Sequence, residues 1–325
     1  MSALPRRAAL RLSVVGMVLV LTACGGQSNG SQTDGTGNEG DALSGDVVID
    51  GSSTVEPLSS AAATIYRDEQ PNVNVTVATS GSGGGFKRFC DEETDISDAS
   101  RPIKEEEIAV CEANGVEYTE IIIANDGLSV VVNPENDWIE CITTEQLATI
   151  WAPESEGTVT SWTDVDPSFP DEPLELYGAG TDSGTFDYFT EAINGEEGAI
   201  RTDYSPSEDD NLTVQGVSGA AGAMGFFGLS YAEENAETIK LLDVDSGAGC
   251  VTPSTETVQD ESYTPLGRPL FIYLNNARYG ESPAIRDFVD FYLENEAQIA
   301  EEALFIGLTD EQRTIAQDAL ATLAG

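Results

Sequence analysis

The sequence predicts an α/β fold of two lobes joined by two crossover strands, and three observations carry that reading. Short β-branched runs alternate with helix-compatible runs, as in residues 46–50, a helical pattern through about residue 69, and then the alternating valines of 73–79. Glycine- and hydroxyl-rich turns stand where those runs end. The stretch 46–325 is also too long for one small core, which favours a division into lobes.

The chain opens with Arg6, Arg7 and Arg11, an apolar run over 12–21, and Leu21-Thr22-Ala23-Cys24. That is the order of an export signal, which lies outside the fold, and the apolar run is too short for a comfortable membrane span. Leu-Thr-Ala-Cys resembles the lipobox of prokaryotic lipoproteins. Residues 1–23 are therefore expected to be a leader, with Cys24 carrying a lipid anchor. Residues 24–45, rich in Gly, Ser, Asn and Thr without apolar periodicity, read as a flexible tether.

Beyond the tether, the strand over 46–50 leads through Gly51-Ser52-Ser53-Thr54 into a helix, and the strand over 73–79 leads into a second turn, Gly81-Ser82-Gly83-Gly84-Gly85, opening a short helix. A third polar turn is expected over 95–103, followed by a helix over 105–114 and a strand over 116–124. Residues 128–132 are a further apolar strand, so the crossing into the second lobe is placed near residue 127, with a helix over 143–151 beyond it. The stretch 178–189, Gly-Ala-Gly-Thr-Asp-Ser-Gly-Thr-Phe-Asp-Tyr-Phe, joins a β-like run over 174–177 to a helix beginning near Ser183. A buried-looking strand over 268–274 marks the return, and 282–303 and 309–323 are amphipathic helices. The lobes are thus 46–126 plus 267–325, and 127–266. Such a chain makes a cleft that can close by hinge motion.

Charge is the strongest compositional feature: 58 acidic against 14 basic residues, a net of −44, or −47 once the three arginines of the leader are removed. Lys87, Lys104 and Lys240 are the only lysines. Scattered carboxylates with few lysines look like adaptation to high salt, where screening shortens self-repulsion. Nucleic acid is a poor partner for such a surface. With no histidine anywhere, Ser-His-Asp and Cys-His catalysis is excluded and the usual nitrogen ligand of zinc is missing. No lysine stands beside Ser183, and residues 81–87 fail the phosphate-loop pattern because Arg88 follows Lys87. The chain is therefore read as a binding protein and not an enzyme, without metal or cofactor. Four cysteines, Cys90, Cys111, Cys141 and Cys250, favour two disulfides in an exported chain. Sequence does not fix their connectivity; the preferred pairs are Cys90 with Cys111 and Cys141 with Cys250.

A helix start at Ser183 leaves backbone N–H groups and a positive dipole end facing outward, which suits an oxyanion, with Ser183 and Thr185 adding hydroxyls. An ordinary helix cap would look the same. The recurrence of hydroxyl turns after strands, at Ser53/Thr54, Ser82, Ser100 and Ser183/Thr185, favours the anion cradle. Arg101, in a chain so short of cations, offers a planar fork for two anion oxygens.

Asp50-Gly-Ser-Ser-Thr-Val, Gly81-Ser-Gly-Gly-Gly-Phe, Ala99-Ser-Arg-Pro-Ile and Gly180-Thr-Asp-Ser-Gly-Thr-Phe, in this order and behind a lipobox, resemble the phosphate-binding proteins that feed ABC-type phosphate importers. The resemblance covers essentially the whole chain after the leader. It implies a type II periplasmic-binding-protein fold, a monomer, inorganic phosphate as ligand and an importer permease as partner. It also implies a ligand set of Ser53, Thr54 and the N–H of Val55, Ser82, and Ser183, Gly184 and Thr185. Two departures stand out. Many members have an aspartate in the third turn, which accepts the phosphate proton and rejects sulfate, whereas this chain reads Ser100 followed by Arg101. Many have an arginine four residues before the serine of Ser-Gly-Thr, where this chain has Ala179. Arg101 looks like the replacement cation, and either Asp182 or Asp98 is expected to accept the proton or orient Arg101. Another oxyanion, such as sulfate or molybdate, is the alternative ligand.

Overall fold

Alternating valine and isoleucine side chains need a covered face, and in the computed structural model, which describes residues 43–181 and 183–323, they find it in a sheet flanked by helices. The leader, Cys24 and most of the tether lie outside the described residues, as does Asp182. The strands are β1 Gly45–Gly51, β2 Val73–Thr79, β3 Ile96–Ala99, β4 Tyr118–Val132, β5 Cys141–Thr143, β6 Glu175–Ala179, β7 Ser205–Ser207, β8 Ala223–Gly228, β9 Lys240–Leu241, β10 Asp243–Asp245, β11 Cys250–Val251 and β12 Gly267–Asn275.

The main sheet runs β2-β1-β3-β12-β4-β8-β6-β7, with β9 also pairing with β4. β1 is parallel to β2 and β3, and β6 is parallel to β7 and β8. β12 is antiparallel to both β3 and β4. The strand β4 belongs to both halves: residues 118–127 pair with β12, and residues 128–132 pair with β8. A separate small sheet, β11-β10-β5, carries the Cys141–Cys250 disulfide, which joins β5 to β11. Cys90 is bonded to Cys111, tying the helices Gly81–Cys90 and Glu105–Asn114 together.

Buried apolar side chains gather into two large clusters. One draws Val47, Ile49 and Leu58 together with Ile121, Leu270, Phe288 and Tyr292. The other draws Leu128, Trp151 and Trp162 together with Phe189, Phe226 and Tyr263. The helices Glu56–Glu69 and Pro283–Glu294 cover the first, and Thr144–Trp151 and Gly184–Asn194 contribute to the second.

Several expectations needed correction. The strands expected over 116–124 and 128–132 are one strand, because Asn125 and Asp126 keep their extended backbone paired with β12 through the expected crossing point. Four residues of the polar turn over 95–103, Ile96–Ala99, are instead β3, a central strand with every residue buried, and the segment from Ser100 onward lies outside the sheet. The glycine run of the second turn is the first turn of the helix Gly81–Cys90 itself. Glycine is required there: a Cβ on Gly85 would stand 2.5 Å from the Cα of Gly51. The helical stretch over 282–303 is broken at Asn295 into Pro283–Glu294 and Glu296–Glu302. The strands β7 to β11 and the helix Asp210–Gly219 were not anticipated.

Candidate functional site

The four hydroxyl turns follow the ends of β1, β2, β3 and β6, the carboxyl ends of parallel strands where α/β sheets collect ligands. Ser183 is the N-cap of Gly184–Asn194, and its Oγ accepts the Thr185 N–H at 3.2 Å. The turns meet in pairs. Ser82 and Ser100 have their hydroxyls 3.1 Å apart, and the Ser100 N–H donates to Ser82 Oγ at 3.2 Å. The Thr54 hydroxyl donates to the Gly184 carbonyl at 3.2 Å, and the Ser53 hydroxyl to the Asp187 carboxylate at 2.8 Å. Val55 is fully buried, and its N–H donates to the Ser52 carbonyl at 3.2 Å. A Cβ on Gly184 would lie 2.6 Å from the Thr54 backbone, so glycine is what lets these two turns touch.

Arg101 does not reach freely into the space between the turns. Its Nη1 and Nη2 donate to the two Glu107 carboxylate oxygens at 2.9 and 2.8 Å, and Nη1 also donates to the Pro102 carbonyl. Its guanidinium lies 5.5 Å from the centroid of Phe86, and Gly83 in the first helical turn faces it. Hydrogen bonding to Glu107 holds the Arg101 guanidinium above its usual range. Burial works to raise the Glu107 carboxyl, but the hydrogen bonds from Arg101 and from the Lys104 N–H outweigh it and hold Glu107 below the usual carboxylate range. Among the described residues Glu107, and not Asp98, is the partner that orients Arg101, and the expectation for Asp182 falls outside them.

Asp98 sits at the end of β3 with its side chain turned into the interior. Its Oδ1 accepts the Ser59 hydroxyl at 2.9 Å, and Ser59 in turn lies 3.5 Å from the Tyr292 hydroxyl. Burial pushes the Asp98 carboxyl up to about 7, against the lowering effect of the Ser59 bond. Asp98 therefore faces the helices Glu56–Glu69 and Pro283–Glu294, and the turns receive its backbone: the Ser52 N–H donates to the Asp98 carbonyl at 2.9 Å.

A second arginine, which no local pattern singled out, stands among the turns. Arg268 begins β12 with its side chain 12% exposed. Its Nη1 donates to the Ser100 carbonyl at 2.9 Å, and its Nη2 to Thr54 Oγ1 at 3.2 Å. Its Nε lies 3.5 Å from the buried Asp126 carboxylate. The guanidinium carbon is 3.2 Å from the centroid of the Tyr188 ring, whose hydroxyl donates to the Pro265 carbonyl at 2.7 Å. Burial raises the Asp126 carboxyl, and the charge of Arg268 works against that rise. Asp187 and Tyr188 also escaped the sequence reading of roles, although both lie within the stretch 178–189; nothing in their spacing separates them from an ordinary helix face.

The cleft is divided. A cavity of about 240 Å³ is lined by Ser53, Thr54, Ser183, Gly184 and Thr185 together with Asp126. A second, of about 280 Å³, is lined by Ser100, Arg101, Tyr188, Glu191 and Arg268. Thr54 and Asp126 on the wall of the first are the partners of Arg268 on the wall of the second, so this arginine stands between them. The structure thus brings the first and fourth turns together around one cavity and the third turn to the other, while Ser82 reaches the second only through Ser100. Hydroxyls, helix-start N–H groups and two guanidinium groups suit an oxyanion. Among the described residues no group of three or more Cys, Asp or Glu is arranged to hold a metal ion, and no helix is long and apolar enough to cross a membrane.

Comparison with known proteins places this geometry in context. The model of the PBP superfamily domain matches residues 31–296. The chain is 48% identical over 265 residues to protein SphX of Synechocystis sp., covering 82% of this chain and 79% of that one. It is 35% identical over 314 residues to phosphate-binding protein PstS of Staphylococcus saprophyticus, covering 96% of this chain and 93% of that one. A crystal structure of a possible phosphate binding protein from Planctomyces limnophilus superposes with a TM-score of 0.83 at 45% identity, covering 87% of this chain and all of that one.

Proposed function

The chain belongs to the PBP superfamily, in the family of the phosphate-binding proteins, and from that premise we propose that it captures inorganic phosphate between its turns and hands it to an ABC-type importer. The observation that carries this reading is the convergence of the hydroxyl turns, with Thr54 touching Gly184 and Ser53 touching Asp187. The proposed ligand groups are the hydroxyls of Ser53, Thr54, Ser82, Ser100, Ser183 and Thr185, the backbone N–H groups of Val55 and Gly184, and Arg101 after it loosens from Glu107. The lobes are 46–126 with 267–325, and 127–266; the division of the apolar residues into two clusters supports that boundary. Opening between them exchanges the Thr54–Gly184 and Ser53–Asp187 bonds for bonds to the anion. Asp182 remains a candidate proton acceptor. Export and lipid attachment at Cys24 are part of the same proposal, resting on the leader and lipobox.

Hydrogen bonds to a charged ligand contribute roughly 1.5–3 kcal/mol each, so a handful reaches the roughly −8 kcal/mol of micromolar binding after ordering costs. The strongly negative surface does not forbid this, because screening confines its repulsion to about 8 Å at physiological salt while the donors act at contact. Titration calorimetry with phosphate tests the proposal. Ser183→Ala and Arg101→Ala are each expected to weaken binding by about tenfold or more while the fold persists, and unchanged affinity in both would overturn the site. Competition with sulfate tests the ligand: equal competition would overturn the choice of phosphate.

A further inference from the structure

Two arginines border the turns, and their circumstances differ. The Arg101 fork is already occupied by a carboxylate in bidentate geometry, the arrangement that neutralises a guanidinium most completely. Arg268 has no such partner. Its Nε is buried and forms no hydrogen bond among the described residues, and its ion pair with Asp126 is long, at 3.5 Å. A guanidinium carries five N–H donors, and the bonds to Ser100 and Thr54 use one on each Nη.

Its placement is equally specific. Arg268 donates to one residue of the first turn and one of the third, and its flat face rests on Tyr188, four residues into the helix that Ser183 starts. Stacking and a buried carboxylate fix the guanidinium between the two cavities with little freedom left to lose on binding. The Thr54 hydroxyl accepts from Arg268 and donates to Gly184. An anion that accepts the Thr54 hydrogen bond in place of Gly184 therefore arrives within reach of the same guanidinium.

Resting on the phosphate reading above, we propose that Arg268 is the seated cation of the cleft: it supplies the counter-charge to the bound oxyanion, and Tyr188 and Asp126 hold it in place. Arg101 then acts at the rim, where it first has to leave Glu107.

Phosphate titration calorimetry on the full chain, with thermal unfolding as the control for folding, tests this. Arg268→Met is expected to weaken binding by about thirty-fold or more, as for loss of one member of a buried charge contact. Arg268→Lys, which keeps the charge and loses the fork, is expected to stay within about tenfold of the native protein. Tyr188→Leu, which keeps the charge and loses the stack, should cost less than Arg268→Met. Because Arg268→Met strands Asp126, the pair Arg268→Met with Asp126→Asn repeats the measurement without a buried orphan carboxylate. A loss of less than about tenfold in that double variant, or equal losses in the Lys and Met variants, would overturn the role of Arg268 and leave phosphate binding intact. Failure of the native protein to bind phosphate would overturn the underlying reading instead.

Discussion

Asp98 shows how far a side chain can stand from the chemistry its neighbours perform. Its carboxyl is buried and raised from 3.8 to about 7, so between those values the folded protein keeps a proton that the unfolded chain has released. The stability this group confers is complete below about pH 4 and is lost as pH rises through about 7. Asp98→Asn removes the titration. It is expected to be more stable than the native protein at about pH 8, by up to about 4 kcal/mol, with the difference vanishing near pH 4. Urea unfolding at both pH values checks this, and parallel behaviour of the two proteins would refute it. The sequence made Asp98 a turn residue because Asp95, Ser97, Asp98 and Ser100 look like polar punctuation; the sheet overrides that pattern by needing a strand between β1 and β12. Ser53, Ser82 and Ser183 were legible because their chemistry is local, a hydroxyl beside glycine at a helix start. Arg268 was not, because its meaning depends on β12 lying beside β3 and β4, a relation that no local pattern records.

The even cysteine count made two disulfides legible but not their connectivity; the pairs formed are the preferred ones, and they act on different elements. Cys90–Cys111 closes 21 residues and joins two neighbouring helices. Cys141–Cys250 closes 109 residues and joins β5 to β11, two- and three-residue strands with little pairing of their own. On the chain-entropy account the longer loop contributes more, by roughly 1.5 kcal/mol. Replacing Cys141 and Cys250 by serine is thus expected to lower the unfolding free energy by about 4–5 kcal/mol, and replacing Cys90 and Cys111 by about 3–4 kcal/mol; denaturant titration of the two variants would contradict this if the order reversed. The strands β7 and β9 to β11 escaped the sequence reading for the same physical reason: two or three residues are too few for alternation to register. Elements such as Glu56–Glu69 and Gly267–Asn275 announced themselves by their apolar pattern, whereas the ten-residue helix Asp210–Gly219 did not.

For the molecule as a whole, a net charge of −44 on the full chain sets the response to salt. Self-repulsion among exposed carboxylates falls with screening, so the melting temperature is expected to rise as sodium chloride goes from about 0.1 M to about 1 M, over which the Debye length falls from about 10 to about 3 Å. Phosphate affinity should change little above physiological salt, since its donors act at contact; a steep fall in affinity would argue that surface charge, and not the turns, governs capture. The position of β12 bears on time as well as on structure. It lies in the middle of the sheet, between β3 and β4, yet it is the last strand in the chain. A ribosome adding about 5–20 residues per second makes β3 well before it makes β12, so until the chain is nearly complete the β3 edge lacks the strand in which Phe271 and Ile272 pair with it. The first half of the protein is thus made early and completed late, by its own final strand.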